Sequence, residues 1–155
     1  MEENILKVFA LSTARYFDQV AAGGAILGTP YLRADGELVA LDYAAIIGIS
    51  GAYHGGVYYT APHAKLEKLL PMIGEVAPDP HLCADLIGEI ANSIAGNARE
   101  HLGAGFMISP PFVLTGRSGD VQTPKGAPCY VLPVTWNGHV SRVLVTIQSV
   151  EGAGR

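Results

Sequence analysis

The sequence predicts an α+β fold, an antiparallel β-sheet of about six strands with helices packed on one face. Three observations carry the prediction. Two stretches, residues 3–22 and about 80–102, have apolar residues at helical spacing and recognisable ends. The run between Asp42 and Lys65 carries no charge and is broken by Gly48, Gly51, Gly55, Gly56 and Pro62, which suits two short buried strands. Beyond Gly103 the chain reads as short apolar pieces and contains Asn137-Gly138, a strong two-residue hairpin signal.

The elements follow in order. In the first helix, residues 3–22, Ile5, Leu6, Phe9, Phe17 and Val20 recur at helical spacing, and Gly23-Gly24 stops the run. Tyr31-Leu32 reads as a short extended piece before a turn at Asp35-Gly36, and strands are expected at Leu38–Tyr43 and Ala45–Ser50. Gly55–Thr60 is β-branched and aromatic, hence a further strand after a turn-like centre at 50–55. Pro62 suits the first turn of a short helix through about Leu70, and Pro71 ends it. Residues 74–80 form a linker. The next helix has Asp79 as N-cap, Pro80 in its first turn and Gly103 at C′. Strands are then expected at Ser109–Thr115, Cys129–Trp136 and Val140–Val150, with a polar loop at 117–127 and a frayed tail at 151–155.

Composition limits the function. At 155 residues the chain is one domain's worth, 1–155, and long enough to bury a core. It is 49% hydrophobic and 15% charged, which excludes a disordered chain. A net charge of −4 gives no basic surface for nucleic acid; Lys65, Lys68 and Arg15 lie in helical stretches with carboxylates close by. The mean hydropathy of +0.28 raises the question of a membrane, but the charge-free run is interrupted by glycines and a proline. Glu2, Glu3 and Lys7 do not make a signal peptide, and two cysteines are too few for a disulfide framework. A cytoplasmic protein without membrane association is expected.

The second long helix carries the candidate site. At about 100° per residue, Leu86, Ile87, Ile90, Ala91, Ile94 and Ala98 fall on one side as a core stripe. Asp85, Glu89, Asn92, Gly96 and Arg99 fall opposite, and Glu89 and Asn92, one turn apart, are neighbours. A carboxylate and a carboxamide on an outer helix face are ordinary surface by themselves. Gly88 and Gly96, four residues either side of Asn92, alter the weighing, because glycine inside a helix costs about 1 kcal/mol relative to alanine. They would leave Asn92 on a low strip that another backbone could approach, although one of them could equally let a neighbouring loop pack.

The run from Gly88 to Ala98 resembles the signature helix of the chemotaxis phosphatases of the CheX/CheC/FliY group, and Asp85-x3-Glu89-x2-Asn92 matches their acid–x3–Glu–x2–Asn pattern. The segments 44–51, 55–62 and 109–116 are similar to the strands flanking that helix in CheX. One signature helix points to the CheX branch. Pro110 and Pro111 come sooner after Asn92 than the proline of the family pattern, which shortens the connection from helix to strand. The resemblance implies hydrolysis of the aspartyl phosphate on a CheY-like receiver, with Asn92 holding the water and Glu89 docking the receiver. Asp85, Gly88 and Gly96 would complete the docking face. It also implies no cofactor of the chain's own, Mg²⁺ supplied by the phosphorylated receiver, and a homodimer paired through sheet edges. The rival is a non-catalytic dimerisation or adaptor module of the same fold.

Other motifs carry less. His81-x-Cys83 has no second ligand pair at a matching spacing, so no metal is expected. Gly48-Ile-Ser-Gly-Ala52 lacks the final glycine and the following helix of a nucleophile elbow. Residues 23–28 have the wrong glycine spacing for a dinucleotide.

Overall fold

The computed structural model describes residues 3–20, 24–74, 80–116, 123 and 127–150. Helix α1 (Glu3–Val20) buries Ile5, Phe9, Tyr16 and Phe17, with Ser12 and Thr13 between them. Ser12 Oγ donates to the Val8 carbonyl and Thr13 Oγ1 to that of Phe9, both at 2.7 Å, so the two hydroxyls are satisfied within the helix. Short strands β1 (Ile26–Leu27) and β2 (Tyr31–Leu32) follow.

The charge-free run folds as one hairpin, β3 (Tyr43–Gly51) and β4 (Tyr53–Ala61), in register from Tyr43 opposite Ala61 to Ile49 opposite Gly55. Two strands were expected at Leu38–Tyr43 and Ala45–Ser50; instead β3 is continuous and residues 38–41 lie outside the sheet. The reason is the sheet's outer face. Val39 packs there with Ala44, Tyr58, Val131 and Leu144, and side chains bond its segment's backbone: Thr60 Oγ1 accepts from Leu41 N and Arg142 Nη1 donates to Val39 O, each at 2.8 Å.

Helix α2 (His63–Leu69) starts after Pro62, and a 3₁₀ turn over Leu70–Ile73 contains Pro71. Helix α3 (Pro80–Leu102) has the expected extent, and the Gly103 N–H closes on the Arg99 carbonyl at 2.8 Å. The expected N-cap Asp79, the linker after Gly74, Gly23, most of the loop 117–127 and the tail 151–155 lie outside the described residues. Four strands complete the chain, β5 (Phe106–Ile108), β6 (Phe112–Thr115), β7 (Tyr130–Trp136) and β8 (His139–Ser149). The strand expected at Ser109–Thr115 begins only at Phe112, and β5 was not foreseen. The β7–β8 turn is Asn137-Gly138, with φ of 51° and 77° at the two residues, the double left-handed geometry of a two-residue hairpin.

All pairings are antiparallel, and the sheet has eight strands where about six were expected. Its order is β1-β7-β8-β4-β3-β5, with β2 also on β7 and β6 also on β3. The α+β class and the placement of the helices on one face agree with the sequence. Alternate residues such as Ala45, Ile47, Val57, Tyr59, Val143 and Val145 face the core built with α1, α2 and α3. Among the described residues no helix is long and apolar enough to cross a membrane.

Lys65 departs from expectation. Placed by sequence in a helical stretch with carboxylates close by, it is fully buried on the inner side of α2, and among the described residues no carboxylate pairs with it. Its Nζ donates to Ser141 Oγ at 2.7 Å and lies 4.6 Å from the centroid of the Phe17 ring. Arg15 does find a carboxylate, Glu100, at 2.6 Å on the exposed side of α1 and α3.

Candidate docking and active site on helix α3

The core stripe read from the sequence is buried throughout: Leu86, Ile87, Ile90, Ala91, Ile94 and Ala98 are all within 1% of fully covered. Cys83 joins them at 0%, on the apolar side where the sequence placed it as a small buried thiol. Among the described residues no three His, Cys, Asp or Glu side chains are grouped to hold a metal. With that stripe locked onto the sheet, helical geometry projects Asp85, Glu89 and Asn92 outward, and all three are exposed. Among the described residues none of the three has a hydrogen-bond or ion-pair partner.

These side chains border an open groove of about 690 Å³. Its other border is Ile108, Ser109, Pro110, Pro111 and Val113, from the end of β5 through the connection into β6. The two flanking glycines behave differently. Gly88 is buried on the groove floor, where a Cβ would meet Val113 Cγ2 at 3.4 Å and Pro111 Cγ at 3.5 Å. It lets the β5–β6 segment pack against the helix. At Gly96 a Cβ would meet nothing within 4 Å, so no contact among the described residues accounts for it.

Sequence reasoning missed the second border and one residue behind the first. Tyr16, on the inward side of α1, is 6% exposed. Burial, and secondarily the nearby Glu89 carboxylate, push its hydroxyl up to about 12. Tyr16 therefore stays a neutral phenol beside Glu89 at every physiological pH. The signal for the second border was the pair Pro110-Pro111, which cannot lie inside a regular central strand.

The family model for the chemotaxis phosphatase CheX matches residues 43–135, more than half of the chain. The chain belongs to the CheX family. The matched span contains α3 with Asp85, Glu89 and Asn92, and the groove's second border. Solved structures agree on the fold. A CheC-like superfamily protein from Shewanella sp. PV-4 is 20% identical, with a TM-score of 0.82 over 96% of this chain and 100% of its own. The chemotaxis protein CheX from Desulfovibrio desulfuricans is 24% identical, with a TM-score of 0.79 over 95% and 99%. A CheX–CheY–BeF₃–Mg²⁺ complex from Borrelia burgdorferi matches at 19% identity and a TM-score of 0.77 over 94% and 98%. No curated protein matches significantly.

Proposed function

We propose that this chain accelerates hydrolysis of the aspartyl phosphate on a CheY-like receiver. One observation carries the reading: within the span matched by the CheX family, Asp85, Glu89 and Asn92 stand exposed along one groove, with no hydrogen-bond or ion-pair partner among the described residues. The complex solved for the Borrelia relative supports the choice of partner, since it holds CheY, a beryllofluoride and Mg²⁺.

The chemistry asks little covalent help. Water attacks phosphorus, the bond from phosphorus to the aspartyl oxygen breaks, and inorganic phosphate and a free carboxylate result. The receiver brings the acyl phosphate and the Mg²⁺, so the second protein contributes mainly positioning. Asn92 suits that task, because a neutral carboxamide both donates to and accepts from one water and can hold it in line. Glu89, one turn away, pairs with a cationic side chain of the receiver and fixes register. Asp85 supports that contact, Gly96 keeps the helix surface low beside Asn92, and Gly88 forms the floor.

The test is the decay of a phosphorylated receiver. Asn92→Ala is expected to abolish the acceleration while binding survives; if that variant still speeds phosphate release, the assigned mechanism is wrong. Glu89→Lys is expected to weaken the complex, and an unchanged titration would remove Glu89 from docking. Binding by the wild type with no faster decay would leave the non-catalytic adaptor. We take residues 1–155 as one cytoplasmic domain that pairs with a second copy through an exposed sheet edge. A monomeric mass in light scattering overturns the pairing.

A further inference from the structure

The second border of the groove is a built feature of the sheet. Ile46 faces Phe112 and Ile49 faces Ile108, so three steps along β3 are matched by four along the partner chain. The extra residue is taken up at Ser109-Pro110-Pro111, a bulge opposite Gly48. The Gly48 N–H donates to Ser109 Oγ at 2.8 Å, and the Gly48 carbonyl accepts from Ser109 N at 2.9 Å. Ser109 Oγ in turn donates to the Pro110 carbonyl at 3.0 Å. Neither proline has an N–H to leave unpaired, so the bulge closes without an orphaned donor there.

The result is a stiff apolar wall facing an acidic one. Pro110 and Pro111 are both exposed, and Gly88 brings Pro111 close under α3. Across the groove stand Asp85 and Glu89, whose charges no cation of the described residues offsets. Charge complementarity therefore calls for a cation on the occupant, and the prolyl wall calls for an apolar neighbour beside it. Resting on the receiver reading above, we propose that Pro110 and Pro111 take an apolar side chain of the receiver adjacent to the cation paired with Glu89. The bulge is then the element that selects among receivers, and Ser109 is the positioning residue that fixes its shape.

The experiment follows dephosphorylation at varied concentrations of phosphorylated receiver. For Pro110→Ser/Pro111→Ser, KM is expected to rise about ten-fold, the effect of losing one buried apolar contact, while kcat falls less than two-fold. Ser109→Ala is expected to raise KM in the same sense, and Ser109→Thr, which keeps a hydroxyl for Gly48, to restore it. An unchanged KM in the folded double variant overturns the proposal, as does a loss confined to kcat. A receiver-side alanine scan against the wild type guards against variants that fail to fold. One apolar receiver residue should raise KM there and have no added effect on the double variant; finding no such residue, or strict additivity, also overturns it. Asn92→Ala run in parallel separates the two ideas. Decay independent of Asn92 overturns the phosphatase reading itself, whereas Asn92-dependent decay with an indifferent wall overturns only this inference.

Discussion

Replacing Lys65 by methionine removes a buried charge while keeping most of the side chain's volume. In the folded protein Lys65 is 0% exposed, and burial lowers its amine from 10.5 to about 7. Unfolded, the amine returns to its ordinary value. Between those two limits the unfolded chain binds a proton that the folded chain does not, so stability rises with pH by up to about 1.4 kcal/mol per unit. Below the folded value both states are protonated, and the full penalty of about 5 kcal/mol is present at constant size. Above the unfolded value it is gone. From pH 7 to pH 9 this one group is expected to add about 2 kcal/mol. The methionine variant loses the donation to Ser141, a long one of 3.4 Å to the Val134 carbonyl and the contact with Phe17, together worth about 2 kcal/mol. Ser141 Oγ still accepts from Tyr59 at 2.8 Å and donates to the Val134 carbonyl at 3.4 Å, so neither former partner of Lys65 is orphaned. Lys65→Met is therefore expected to be more stable than the wild type at pH 7, by about 2 kcal/mol after those losses. Urea unfolding of both proteins at several pH values reads the effect. Equal pH slopes over pH 7 to 9 would refute the reasoning.

Two further substitutions probe the backbone and the site. Gly55 has φ of 140°, and a Cβ there would lie 1.8 Å from the Thr146 carbonyl oxygen of the neighbouring strand β8. Gly55→Ala is expected to cost at least about 3 kcal/mol, and a change in unfolding midpoint equivalent to less than about 1 kcal/mol would contradict that constraint. Gly96→Ala has the opposite expectation: its Cβ meets none of the described residues within 4 Å, so the helix gains about 1 kcal/mol in thermal unfolding. Receiver affinity should fall in the same variant, and a titration that shows no fall removes Gly96 from the docking face.

The face of α3 was legible because helical period alone settles which residues point outward once the apolar stripe is known. Asp85, Glu89 and Asn92 are exposed as read, and the stripe from Leu86 to Ala98 is buried as read. The β3–β4 hairpin and the Asn137-Gly138 turn were legible through turn chemistry. What stayed hidden needed knowledge of neighbours distant in sequence. The sequence offers Gly88 and Gly96 alike as an open strip or as room for a neighbouring loop, and only the fold shows that Pro111 and Val113 lie against Gly88. β5 has only three residues, too few to display a period. The bulge at Ser109 exists only relative to the register of β3. Lys65 shared a helix with solvated charges, and nothing local says that α2 turns it under the sheet-facing side. Residues 38–41 fall in an expected strand, whereas burial of Val39 on the outer face decides their path.

The exposed trio on α3 also bears on how such a protein can change. Asp85, Glu89 and Asn92 have no hydrogen-bond or ion-pair partner among the described residues, while the stripe behind them is locked into the core. Exchanging an outward side chain therefore leaves packing untouched, and surface changes away from such contacts stay within about 0.5 kcal/mol. Recognition and folding are thus separable on a single helix. Duplicated copies could drift toward different receivers by substitutions on one side of α3 without first acquiring a compensating mutation in the core.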